Sequence, residues 1–185
     1  MADATGLLFK FKSLIATSSP PALGPQRRSG TLSEAELDHT LGEFFSTERI
    51  APRIQPLLRS AALLWHDHLD ASHGISQGVE TRDGSWLHGI MHRREPDYGN
   101  AKYWFRRVGQ HEAYATLAGR AAALLRARDA DLAGRLIENG EWMPFAFVEQ
   151  CEKAERGSDA ALSSALQEIQ AAEFDVLMEH ILSHA

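Results

Sequence analysis

Along most of this chain apolar residues recur at intervals of three and four, in segments bounded by helix-capping residues, and nowhere do they alternate for more than a few positions. That pattern restricts the fold to packed helices. Ser33 and Glu36 have the spacing of a capping box, followed by the stripe Leu37, Leu41, Phe44 and Phe45. Pro52 or Pro56 suits the first turn of a second helix, expected to run to about Ile75. Thr81-Arg82-Asp83-Gly84 reads as a turn, after which Ser85 can cap a short helix from Trp86 to Arg94. Asp97 caps the next, Tyr98 to Val108, and Gly109 closes it. Further helices are expected over His111 to Arg128, from Asp129 or Asp131 to a stop at Asn139-Gly140, from Pro144 to Glu155, and onward from a cap at Ser158. The expected fold is therefore all-α, a single irregular bundle of about seven helices over residues 32–185. Residues 1–31 read as an arm: a short apolar patch, Leu7 to Ile15, then Pro20, Pro21, Gly24, Pro25 and Gly30, which exclude regular structure.

A chain of 185 residues fits one domain with a real core. Its net charge of −6 gives no global attraction to nucleic acid or anionic lipid, so neither is expected as a partner. Cys151 stands alone, which rules out an internal disulfide and favours a reducing compartment. No apolar run suits a membrane span, and the start lacks the basic leader of a secretory signal, so a cytoplasmic protein is expected. The Ala/Leu helix faces are compatible with a homodimer.

Chemistry concentrates between Trp65 and Arg107, which hold five of the nine histidines and three of the four tryptophans. If one helix runs through this stretch to Ile75, His68 and Ser72 fall on its buried face, while His66, Asp70 and His73 lie nearly opposite. His88 and His92 are four apart, the spacing that lets two imidazoles on one helix reach one ion. Gly89 between them costs helix stability by about 1 kcal/mol relative to Ala, which suggests close approach by a ligand or another backbone. His66, His73, His88 and His92 are thus the candidate ligands for a divalent metal (Zn, Fe, Ni or Mn). His66, Asp67, Asp70 and His88 are the candidate acid/base residues.

The run HGIMHRREPDYGNAKYWFRRVG, with WHDHLDASHGISQ upstream and more loosely EWMPFAFVEQCEKA downstream, resembles the signature of a family of bacterial and fungal proteins with no assigned activity. The resemblance covers most of the chain after the arm and brings no catalytic role with it. The His66-Asp67 pair is also similar to the core of HD-type phosphohydrolases, likewise all-α, in which an earlier His, the pair and a later Asp converge on a metal. His39 and Asp129 or Asp131 would fill the outer positions.

Arg93, Arg94 and Arg106, with Tyr98 and Tyr103, form a second group suited to a small anionic molecule: guanidinium forks pair with carboxylate or phosphate, and aromatic rings stack on planar ligands. Internal pairing competes with this, because the six bases between Trp65 and Arg107 are matched by Asp67, Asp70, Glu80, Asp83, Glu95 and Asp97. Two functions follow. One is a metal-dependent hydrolase or lyase acting on a small anionic substrate; the other is a non-catalytic ligand-binding or protein-interaction module with a structural His/Arg network.

Overall fold

The computed structural model describes residues 4–184, and among them the backbone forms ten helices and one two-stranded hairpin. In chain order these are α1 (Ala4–Leu14), α2 (Glu34–Thr47), α3 (Gln55–Trp65), α4 (Leu69–Ser76), α5 (Arg82–Arg94), α6 (Tyr98–Val108), α7 (Tyr114–Leu125), α8 (Ala130–Leu136), β1 (Ile137–Glu138), β2 (Glu141–Trp142), α9 (Pro144–Arg156) and α10 (Ala160–Ser183). The all-α architecture holds. Ten helices stand where about seven are expected: eight segments are individually legible in the sequence, the arm contributes one more, and the long second helix is in fact two.

Caps explain most boundaries. Glu36 Oε2 accepts from the Ser33 N–H at 2.7 Å while Ser33 Oγ accepts from the Glu36 N–H at 3.3 Å, completing the capping box of α2. Asp97 accepts from the Asn100 N–H at 3.1 Å to open α6, and Gly109, at φ 62°, closes it. Two caps differ from expectation. Thr81 rather than Ser85 opens α5, accepting from the Gly84 N–H at 3.0 Å, so the residues read as a turn form the first helical turn. Asp159 rather than Ser158 opens α10. At Asn139-Gly140 the helix stop is a hairpin: both residues have positive φ, 51° and 82°, and Ile137 pairs with Trp142.

The arm is packed. Leu7, Phe11, Ile15 and Leu23 are buried, Lys12 pairs with Asp175 of α10 at 2.7 Å, and Gln170 donates to the Pro21 carbonyl at 3.0 Å. The predicted helix through to Ile75 breaks at His66-Asp67-His68. Asp67 sits at φ 65°, the His68 N–H returns to the Leu63 carbonyl at 2.9 Å, and the Asp67 N–H returns to Leu64 at 3.2 Å. These are the two bonds of a Schellman motif, with aspartate in the left-handed position usually given to glycine. Aspartate tolerates that conformation better than most side chains do.

Helix α5 is central, packing on α3, α4, α6 and α9, and every residue from Gly84 to Arg94 is buried. A helix enclosed on all sides is ordinarily apolar. This one carries Ser85, His88, His92, Arg93 and Arg94, so each polar group must find its partner inside the protein. Gly89 faces α6, where a Cβ would lie 3.0 Å from the Phe105 ring. The close neighbour of this glycine is an aromatic side chain, not the ligand or backbone expected.

Candidate metal centre

Helices α4 and α5 bring three imidazoles together. His88 and His92, one turn apart and buried, face each other with 3.0 Å between their Nε2 atoms. Half-buried His73, from the last turn of α4, lies edge-on to both, with ring centroids 4.7 and 5.4 Å away. One ring nitrogen from each of the three lies within 4.8 Å of the others. Two nitrogens held ~2.0 Å from one tetrahedral ion are about 3.3 Å apart, close to the His88–His92 spacing. The third ligand of a three-imidazole face would be His73.

The outer nitrogens of these rings sharpen the picture. His92 Nδ1 lies 3.2 Å from Glu95 Oε2, which draws its proton to Nδ1 and leaves the Nε2 lone pair facing inward. His88 Nδ1 is buried without a hydrogen-bond partner. With the His92 proton on Nδ1, its Nε2 lone pair either accepts from a His88 Nε2–H at 3.0 Å or, with His88 in the other tautomer, shares a cation with the His88 Nε2 lone pair. Asn100 Nδ2, 3.0 Å from His92 Nε2, offers the alternative of an amide donor to one of them. Burial pushes the His88 imidazole down to about 4, assisted by His92 and His73. Burial also lowers His92, against the opposing pull of Glu95 and Asp97. Rings kept neutral in this way are competent metal ligands.

His66 does not join the triad. The break before α4 turns it toward the arm, where its Nδ1 accepts from the Leu32 N–H at 3.0 Å, and burial lowers its pKa. The face shared by His66, Asp70 and His73 existed only for an unbroken helix. Asp67 is not available as a base: Arg28 Nε at 2.8 Å and Arg94 Nη2 at 2.7 Å both grip its buried carboxylate. Burial alone would raise that carboxyl, but the hydrogen bonds from Arg28 and Arg94 more than reverse the effect and hold it low. Asp70 is exposed on the wall of a separate cleft with Arg27 and Glu34. His68 and Ser72 are buried and hydrogen-bonded as expected, His68 to the Leu32 carbonyl at 2.8 Å and Ser72 to Ser60 at 2.8 Å. The HD-type arrangement is not assembled, since His39 is exposed beside Glu43, Asp129 caps α8, and Asp67 is already paired.

The arginines predicted to bind an anion divide. Arg93 is fully buried, forked onto Glu173 at 2.5 and 3.2 Å and stacked 4.4 Å over Phe147. Arg94 holds Asp67 and the Ala22 and Leu64 carbonyls. Both are structural, and this is internal pairing of the kind weighed above, with Glu173 contributing from the far end of the chain. Arg106 is exposed and lies over Phe145, 5.8 Å away, on the wall of a cleft of about 590 Å³ that also includes Trp142 and Glu112. Tyr98 is half-buried, its hydroxyl without a partner and pushed up to about 12 by burial and by Glu155 of α9. Tyr103 is exposed, 3.5 Å from Arg107. These five residues do not converge on one ligand. Cys151 is buried and its thiol is pushed up to about 12 by burial, which leaves it unreactive.

A second cluster escaped sequence reasoning because its members lie far apart in the chain: Asp83, His111 and His180. The Ala113 N–H donates to His111 Nδ1 at 3.2 Å, so the ring proton is on Nε2 and is donated to Asp83 Oδ1 at 3.0 Å. The nitrogen a cation would need is occupied, and the cluster reads as a hydrogen-bonded brace between the start of α5 and the loop before α7, with His180 of α10 3.6 Å from Asp83. Comparison of the chain with protein-family models, with curated proteins and with solved structures gave no match.

Proposed function

We propose that His73, His88 and His92 bind a divalent metal and that the protein is a metal-dependent enzyme of hydrolytic or lyase type acting on a small anionic substrate. The observation that carries this reading is the convergence of three imidazoles from two helices, with 3.0 Å between the His88 and His92 Nε2 atoms and one ring nitrogen from each residue within 4.8 Å of the others. Three neutral imidazoles suit zinc, nickel or ferrous iron better than manganese. A metal bound by three protein ligands keeps a position for water, whose acidity it raises enough to supply hydroxide near neutral pH. In this arrangement Glu95 orients His92, and half-exposed His73 leaves the site open on the α4 side.

The burial of Arg93 and Arg94 favours a second reading, a non-catalytic ligand-binding or interaction module whose His/Arg network is structural. Metal content of untagged protein, followed by titration with Zn²⁺, Ni²⁺, Fe²⁺ and Mn²⁺, separates the two. The metal reading expects one ion per chain, lost in His88→Ala/His92→Ala and retained in His66→Asn. No binding of any of these ions, or binding that survives the double substitution, removes it.

A further inference from the structure

We propose that one stripe of α6, formed by Asn100, Trp104 and Arg107, is the substrate-facing wall of the histidine centre, and that Arg107 receives the oxyanion of the substrate, a phosphate or a carboxylate. This rests on the metal reading above and deepens it by naming the residue that holds the negative group. The three residues are spaced i, i+4 and i+7 and therefore share one helix face. Each is linked to the histidines. Asn100 Nδ2 is 3.0 Å from His92 Nε2. The Trp104 indole stacks on His88 with centroids 3.8 Å apart and planes 18° from parallel. The Arg107 guanidinium lies 5.0 Å from the Trp104 ring, and its charge is felt at His88.

Neighbouring cations are already engaged. Lys102 pairs with Glu149 at 2.9 Å, Arg93 with Glu173 and Arg94 with Asp67, while Arg106 lies over Phe145 beside a different cleft. Arg107 is exposed, has no carboxylate within salt-bridge distance among the described residues, and makes one long hydrogen bond, 3.5 Å to the Tyr103 hydroxyl. Stacking on an indole restrains the guanidinium while leaving its N–H edges free to grip two oxygens at once. The Arg107 Cζ is less than a nanometre from the His88 ring. One small molecule can thus place an oxygen between the histidines and an anionic group on Arg107. The buried pair Arg93 and Arg94 cannot do this, because their donors already point at Glu173 and Asp67.

Cobalt(II)-loaded protein provides the test, since the visible spectrum of the ion reports both its binding and a ligand arriving beside it. Inorganic phosphate and malonate are titrated into the wild type, Arg107→Gln and Arg106→Gln; the two variants lose the same charge. The expected result is unchanged cobalt affinity in all three, and anion binding weakened about tenfold or more in Arg107→Gln alone, the effect of losing a charge-assisted hydrogen bond. Loss with phosphate only, or with malonate only, identifies which oxyanion the wall accepts. Anion binding unaffected by Arg107→Gln, equally weakened by Arg106→Gln, or absent from the cobalt-loaded wild type overturns the assignment and leaves the metal reading standing. Failure to bind cobalt, or cobalt binding that persists in His88→Ala/His92→Ala, removes the metal reading and this assignment with it.

Discussion

Lowering the pH from about 7 to about 4 in the presence of a chelator should cost the fold about 3 kcal/mol through His88 alone. In the folded protein burial, with help from His92 and His73, holds this imidazole down to about 4 against an ordinary value of 6.5. The unfolded chain protonates the ring at its ordinary value, while the folded chain resists until about 4. Between those points the unfolded state binds the extra proton. The stabilisation is therefore intact above pH 6.5 and falls by about 1.4 kcal/mol for each pH unit until the folded ring also titrates. Against a typical total stability of about 5–15 kcal/mol, that loss is easily measured. His66, His92 and His180 are lowered by burial in the same direction and steepen the same window. The Asp67 carboxyl, lowered from 3.8, releases its stabilisation only below that value. Urea unfolding followed by circular dichroism across this range, for the wild type and His88→Gln, isolates the histidine. The variant starts less stable, and its deficit should shrink by about 3 kcal/mol as the pH falls. Parallel curves for the two proteins would refute the claim that His88 is neutral because it is buried among imidazoles.

Three further outcomes are expected. Asp67→Ala leaves Arg94 buried with no carboxylate and should destabilise the protein by about 3–5 kcal/mol in the same unfolding assay, with Asp67→Asn intermediate. Glu95→Gln should leave the fold intact but weaken zinc binding by about 10–100-fold in a competition titration, because His92 loses the carboxylate that orients it. Gly89→Ala should destabilise by about 1–3 kcal/mol despite alanine's helix preference, since its Cβ meets the Phe105 ring; the cost should fall when Phe105 is first replaced by Leu, which a double-mutant cycle reads directly.

Local signals were legible in the sequence and distant pairings were not. Helix α6 is bracketed by Asp97 and Gly109, and α2 opens on Ser33 and Glu36, all within a few residues of the boundaries they set. The His88–His92 pair could likewise be read from one helix period. The break at Asp67 could not, because aspartate is a weak marker of the left-handed conformation and one of the arginines gripping it, Arg28, lies 39 positions upstream. That single break accounts for the misplacement of His66 and for the loss of its predicted neighbours. Arg93 and Arg94 look like ligand-binding residues in a linear reading because nothing nearby shows that Glu173, 80 positions downstream, will claim the first of them. The Asn139-Gly140 hairpin was hidden for another reason: strands of two residues are too short to display any alternation.

The arm has a practical consequence for anyone shortening this polypeptide. Starting it at Ser33 would delete the backbone and side-chain groups of Arg28 that clasp Asp67, and the Leu32 amide that meets His66. Those contacts fasten the corner where α3 hands over to α4, and so govern the angle at which His73 arrives among the other imidazoles. Truncation of the leading segment would be felt at the opposite side of that corner, as a loosened third ligand, before any loss of helix was visible.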